Sequence, residues 1–84
     1  MLNVTLRHSD TIEELLPALE TAMQTGDVCR VANIDYLDLF EISALRLLVA
    51  AGHLFDAANG KEFYARPGFS LIGVDSAGEE HRLS

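Results

Sequence analysis

The stretch that decides the fold is Val28-Cys29-Arg30-Val31-Ala32-Asn33-Ile34-Asp35-Tyr36-Leu37-Asp38-Leu39-Phe40-Glu41-Ile42-Ser43-Ala44-Leu45. Its first five residues are β-branched and mostly apolar, which predicts an interior strand covered on both faces, as in α/β sheets. A polar connection follows through Asn33, Asp35, Tyr36 and Asp38. From about Ser43 to Ala58 the chain is apolar nearly all round, which predicts a covered helix with Asn59-Gly60 as its stop.

Upstream, Leu2, Val4 and Leu6 alternate with Asn3, Thr5 and Arg7, the period of a strand with one buried face. Asp10 and Glu13 have capping-box spacing, and Ile12, Leu15, Leu16, Leu19 and Met23 predict an amphipathic helix from about Thr11 to Thr25. Pro17 inside it predicts a kink or a loosely wound first turn, and Gly26 is the natural stop. Downstream, Lys61 to Ala65 reads as a strand and Pro67-Gly68 as a turn; Phe69, Leu71, Ile72 and Val74 form the last apolar cluster, with room for a single helical turn. Ser76 to Ser84 reads as a polar, frayed tail. The order β-α-β-α-β calls for parallel pairing through crossovers. The expected fold is one α/β domain over residues 1–84. It has a central, mainly parallel sheet of about four strands, flanked by two or three helices. The strands at Val28–Ala32 and Lys61–Ala65 are expected to run parallel on either side of the second helix.

Composition narrows the function classes. Thirteen acids against six Lys and Arg give 84 residues a formal charge of −7. That balance disfavours nucleic acid, whose binding depends on clustered cations releasing counterions, and equally disfavours anionic lipid. One cysteine makes no internal disulfide, and the opening residues lack the pattern of a signal peptide. The longest apolar stretch, Ala44 to Phe55, is broken by Arg46, Gly52 and His53 and is too short to insert in a bilayer. A cytoplasmic domain is expected.

Catalytic signals are thin. His8, His53 and His81 fall in no metal-ligand spacing, and no second cysteine completes a zinc site. His53 and Asp56 are one helical turn apart, a spacing that suits either a His–carboxylate pair or partly buried packing. Cys29 reads as an inert strand residue, and the glycines form no phosphate-cradling loop. Neither a cofactor nor a metal nor an enzymatic activity is expected. The most suggestive cluster is Asp35, Asp38 and Glu41 ahead of Ser43. It reads either as carboxylates stabilising a helix N-terminus or as an acidic recognition surface beside a phosphorylatable hydroxyl.

An amphipathic helix, a short buried strand, an acidic connection and an apolar helix opening on acid-X-Ser-small-Leu together resemble the STAS domain. This is the sulphate-transporter and anti-sigma-factor-antagonist module of bacteria. The step from Asn33 to Glu41 has the family's eight-residue length, and Glu41-Ile42-Ser43-Ala44-Leu45 falls on its second motif. Leu47 and Leu48 match the leucine-rich continuation, Ala58-Asn59-Gly60-Lys61 the helix end, and Gly73-Val74-Asp75 the closing segment. The resemblance covers roughly residues 2 to 75.

The departures limit what it implies. The family's phosphoacceptor position holds Ile42, its motif glycine is Ala44, its two aspartates are Asn33 and Glu41, and its final helix would be truncated. The resemblance therefore implies a STAS-like fold and a non-catalytic partner-binding role, without the usual phosphorylation switch. Ser43, one residue displaced, is either a helix N-terminal polar residue or a substitute acceptor. In the family, the surface at the start of the motif helix docks on an anti-sigma factor or a histidine-kinase-like regulatory protein. On this chain it comprises Asp35, Tyr36, Asp38, Phe40, Glu41, Ile42, Ser43 and Arg46. Ile42 beside Tyr36 and Phe40, ringed by carboxylates, has the makeup of an apolar anchor with a polar rim, although Phe40 and Ile42 also suit a core. The alternative it implies is an accessory subunit of a bacterial lipid-transport ABC ATPase.

Overall fold

A computed structural model describes residues 1–56 and 60–83. Among the described residues the architecture is α/β. Strands β1 (Leu2–Thr5), β2 (Val28–Ala32), β5 (Ser70–Val74) and β6 (Glu80–Arg82) form one mixed sheet in the order β1-β2-β5-β6. The first three strands are parallel, and β6 runs antiparallel to β5. Helix α1 (Leu16–Thr25) lies between β1 and β2, and α2 (Leu39–Ala51) follows β2; a separate antiparallel hairpin of β3 (His53–Asp56) and β4 (Lys61–Tyr64) comes after α2.

The sheet register sorts residues onto two faces. Leu2, Cys29 and Leu71 align on one face, as do Val4, Val31 and Gly73. That face meets Leu15, Leu19, Ala22 and Met23 from the α1 region, and Leu45 and Val49 from α2, in a single core. The opposite face carries Asn3, Thr5, Arg30, Ala32, Ile72 and Val74, all half-buried or exposed, with Arg30 ion-paired to Glu80 across it. The expectation that β2 would be covered on both faces is therefore corrected. It is an interior strand with one open face, because both helices pack on the other.

The first helix divides as Pro17 requires. A 3-10 turn at Ile12–Glu14 precedes α1, which places Pro17 in its first turn, where a missing N–H has no intrahelical partner to lose. The capping residue is Thr11 rather than Asp10. Thr11 and Glu14 make the capping box, while Asp10 accepts a hydrogen bond from the Arg7 amide at 2.8 Å. Gly26 ends α1 as expected.

Larger corrections concern the second half. The second helix starts at Leu39, not near Ser43, because Asp38 and Glu41 form a capping box four residues earlier. It stops at Gly52, whose left-handed φ of 62° lets its amide reach the carbonyls of Leu48 and Val49. His53 to Asp56 is consequently a strand. The helix end expected at Ala58, with Asn59 in its stop, lies outside the described residues; Gly60 immediately precedes β4.

Lys61–Ala65 was expected to pair parallel with β2, and instead its first four residues form a hairpin with β3. The parallel partner of β2 is Ser70–Val74, a segment expected to hold at most a helical turn. Sequence chemistry supplies the reason. β4 turns one half-buried apolar residue, Phe63, toward the core among exposed Lys61, Glu62 and Tyr64, whereas β5 has buried Leu71 and Gly73 flanked by β-branched Ile72 and Val74. The tail is ordered through Leu83. β6 pairs with β5, and Leu83 is buried with its amide donating to the Leu71 carbonyl at 2.9 Å.

Candidate functional site

A 3-10 turn at Ile34–Tyr36 links β2 to α2, and its geometry places most of the candidate residues. Asn33 enters it in the left-handed conformation, φ 62°, which Asn tolerates better than most residues, and its Nδ2 donates to the Leu6 carbonyl at 3.1 Å. Ile34 then drops against Gly73. A Cβ on Gly73 would lie 2.9 Å from Ile34 Cγ1, so glycine permits this close approach.

From there the acids are each engaged within the fold. Asp35 accepts from the Ser76 amide at 2.8 Å and from its hydroxyl at 2.7 Å, clasping the turn to the β5–β6 connection. The Ser76 hydroxyl is the main reason its carboxyl sits below the usual range. Asp38 caps α2 by accepting from the Glu41 amide at 2.8 Å. Glu41 returns a carboxylate oxygen to the Asp38 amide at 3.4 Å, and its other oxygen accepts from the Ile12 amide at 2.8 Å, tying the N-terminus of α2 to the turn before α1. These bonds carry the structural reading of the acidic run.

The apolar candidates separate. Tyr36 is half-buried and stacks on His8, ring centroids 4.0 Å apart. Ile42 points inward and is half-buried against the core. Phe40 points outward and is 89% exposed, which removes it from the core. Ser43 lies in the second turn of α2, exposed and without a hydrogen-bond partner among the described residues, so it is not the capping residue. Arg46 is exposed and likewise unpaired among the described residues.

Three candidates, Asp35, Ile42 and Arg46, meet at one cavity of about 300 Å³ between α2 and the β5–β6 edge. Its remaining walls are Ile34, Leu39, Asp75, His81 and Leu83. Sequence reasoning missed Asp75 and His81. Asp75 Oδ2 lies 3.0 Å from His81 Nε2, and this hydrogen bond is the leading cause that lowers the Asp75 pKa. Asp75, Glu79 and His81 present ligand atoms within 4.8 Å of one another, the geometry of a metal-ligand set. Asp75 Oδ1, however, already accepts from the amides of Ala77 and Glu79 at 3.0 and 2.9 Å, and Oδ2 is engaged by His81. The carboxylate is used to close its own turn. No sequence signal marks this cluster, because a β-turn brings the residues together.

Elsewhere, His53 faces Tyr64 across the hairpin, ring centroids 4.6 Å apart, and its Nε2 is 3.9 Å from Glu62 Oε2. The helical-turn spacing to Asp56 does not apply on a strand, and the Asp56 side chain lies outside the described residues. Cys29 is 1% exposed, and burial raises its thiol pKa, helped by the charge of Asp27. Among the described residues no serine, threonine or cysteine is hydrogen-bonded to a histidine, and no helix is long and apolar enough to cross a membrane.

What sequence reading missed most is the outer face of α2. Leu39 is 82% exposed and Leu47 is 73% exposed, on either side of Phe40 and Arg46. Comparison of the chain with protein-family models, curated proteins and solved structures returned no match.

Proposed function

We propose that the chain is a non-catalytic protein-interaction module, of the anti-sigma-factor-antagonist type that its Asn33–Leu48 segment resembles. Its partner is an anti-sigma factor or a histidine-kinase-like regulatory protein. The observation that carries the reading is at the start of α2, where Phe40 and Leu39 stand in solvent beside Asp35, Asp38 and Glu41. Large apolar side chains inside a polar rim are the composition of a binding hot spot, and their exposure is a cost that a partner relieves. The acids steer a basic partner toward the surface and act on association rate, while the apolar anchors act on dissociation.

Phosphorylation is not the switch in this reading, because Ile42 at the motif position has no hydroxyl to take a phosphoryl group. Two experiments test it. The immobilised chain should retain a kinase-like or anti-sigma protein, identified by mass spectrometry, and Phe40→Asp should lower that affinity by roughly 100-fold, about 2.7 kcal/mol. Retention of an ABC ATPase in its place would reassign the chain to the accessory-subunit class. Incubation of the captured pair with ATP should leave the intact mass unchanged, and a phosphate on Ser43 would overturn the unswitched reading.

A further inference from the structure

Phe40, Ser43, Ala44, Leu47 and Ala51 line one exposed side of α2, with exposed Leu39, Arg46 and Ala50 on the adjoining side. Large side chains stand at Phe40 and Leu47, and small ones lie between them. We propose that this face binds the same face of a second copy of the chain. The two α2 helices run antiparallel about a two-fold axis between Ser43 and Ala44, making a homodimer. This inference goes beyond the module reading above: both use Phe40, so a heterologous partner would displace the second copy, and the purified chain alone tests the dimer.

The pattern is self-complementary. In an antiparallel pair centred between Ser43 and Ala44, Phe40 of each copy meets Leu47 of the other. Ser43 and Ala44 lie at the crossing, where small side chains let the backbones approach. A two-fold contact of this kind closes on itself and does not propagate into a filament. Charge selects the direction. Arg46 is the one cation of α2 and is unpaired among the described residues, while Asp35 and Asp38 lie at the N-terminal end of the helix. Antiparallel packing carries each Arg46 toward the acids of the other copy, whereas parallel packing stacks Arg46 on Arg46.

Area sets the strength. Phe40 and Leu47 together expose on the order of 300 Å², at the lower end of the roughly 300–600 Å² of the largest apolar patch on a typical monomer. A standard interface buries about 800 Å² per partner, so this dimer belongs to the weak class, with a dissociation constant in the micromolar range.

Sedimentation equilibrium of the purified chain between about 10 and 500 μM reads the association directly. The mass should rise from 9.2 kDa toward twice that value over the series. The double variant Phe40→Glu with Leu47→Glu should stay at the monomer mass with an unchanged circular dichroism spectrum, a loss of at least 100-fold in affinity. Direction is read by oxidative cross-linking, for which buried Cys29 is a silent background. Ser43→Cys, beside the axis, should form a disulfide-linked dimer. Ala51→Cys should not, because an antiparallel pair holds the two positions about 22 Å apart at 1.5 Å per residue. A wild-type mass that stays at the monomer value to 500 μM, or a dimer that survives in the double variant, overturns the proposal. Cross-linking of Ala51→Cys as fast as Ser43→Cys overturns the antiparallel arrangement.

Discussion

α1 turns Leu19, Ala22 and Met23 to the core and Thr21, Gln24 and Thr25 to water, whereas α2 turns Leu45 and Val49 inward and Phe40, Ala44, Leu47 and Ala51 outward. The outer hydroxyls of α1 are satisfied on their own helix, Thr21 donating to the Pro17 carbonyl and Thr25 to the Thr21 carbonyl. α1 is therefore complete once its inner stripe meets the sheet. α2 is not, because the sheet offers each helix one face and α2 has apolar residues on two. An all-apolar helix signals that its residues prefer burial, and it does not specify whether the covering surface belongs to the same chain.

Inner and outer positions of the two helices should separate most widely in stability. Leu19→Ala and Leu45→Ala should each cost about 2–5 kcal/mol in urea unfolding, since both side chains are essentially inaccessible. Leu47→Ala, measured at a concentration where the chain is monomeric, should stay within about 0.5 kcal/mol of the parent. A large cost at Leu47 would break the contrast, by showing that the outer face is packed within the chain.

A smaller effect tests how α2 is anchored to the sheet. Gly73→Ala would place a methyl 2.9 Å from Ile34 Cγ1, and displacing that side chain should cost about 1–3 kcal/mol. Nitrogen-15 correlation spectra should report the shift at Ile34 and its neighbours, while the α1 resonances stay in place. Next in size are the caps. Asp38→Ala should cost about 1 kcal/mol by opening the first turn of α2, and Thr11→Ala should act on the turn ahead of α1 by a similar or smaller amount. Equal protection of the two helix starts in hydrogen exchange after Asp38→Ala would remove the assigned role of that cap.

The smallest expected effect is on pH dependence. Asp35 and Asp75 both have pKa values lowered in the folded chain, the first mainly by the Ser76 hydroxyl and the second mainly by His81. A depressed carboxyl favours the fold above its unfolded pKa of about 3.9, and that contribution is lost as pH falls through the folded value. Stability of the clasp should thus be flat near neutrality and decline below about pH 4. Ser76→Ala should make the acid limb of the urea midpoint against pH shallower, and an unchanged limb would show that the clasp does not contribute.

Legibility in the sequence followed how local each cause is. Period-2 alternation placed β1, helical spacing with Pro17 and Gly26 placed α1 and its loosened start, and the apolar run of Val28–Ala32 placed the interior strand. The start of α2 was placed too late although Asp38 and Glu41 have capping-box spacing, and the apolar pattern continuing past Gly52 masked the end of the helix. Of the candidate residues, Asp38 and Glu41 fall where the acidic run suggested, at a helix start, whereas Asp35 sits in the preceding turn and is bonded to Ser76. Phe40, one position from half-buried Glu41, needed the helical phase to be identified as exposed.

The amino-acid sequence by itself determined an α/β alternation, one small core, an acidic surface and a helix too apolar for one covered stripe, because each follows from residue type and spacing along the chain. Only tertiary structure decided which segment pairs with β2. Lys61–Tyr64 reads as a strand and Ser70–Val74 only as an apolar cluster, and the choice depends on which one buries more apolar surface beside Cys29 and Val31. It also decided that Asp75 meets His81, that Asp35 meets Ser76, and that Phe40 and Leu47 are left in water. The Asp35–Ser76 contact joins residues distant in sequence, and Asp75 meets His81 only once β6 pairs back on β5. The exposure of Phe40 and Leu47 follows from the one covered face of the sheet, and no local propensity encodes any of the three.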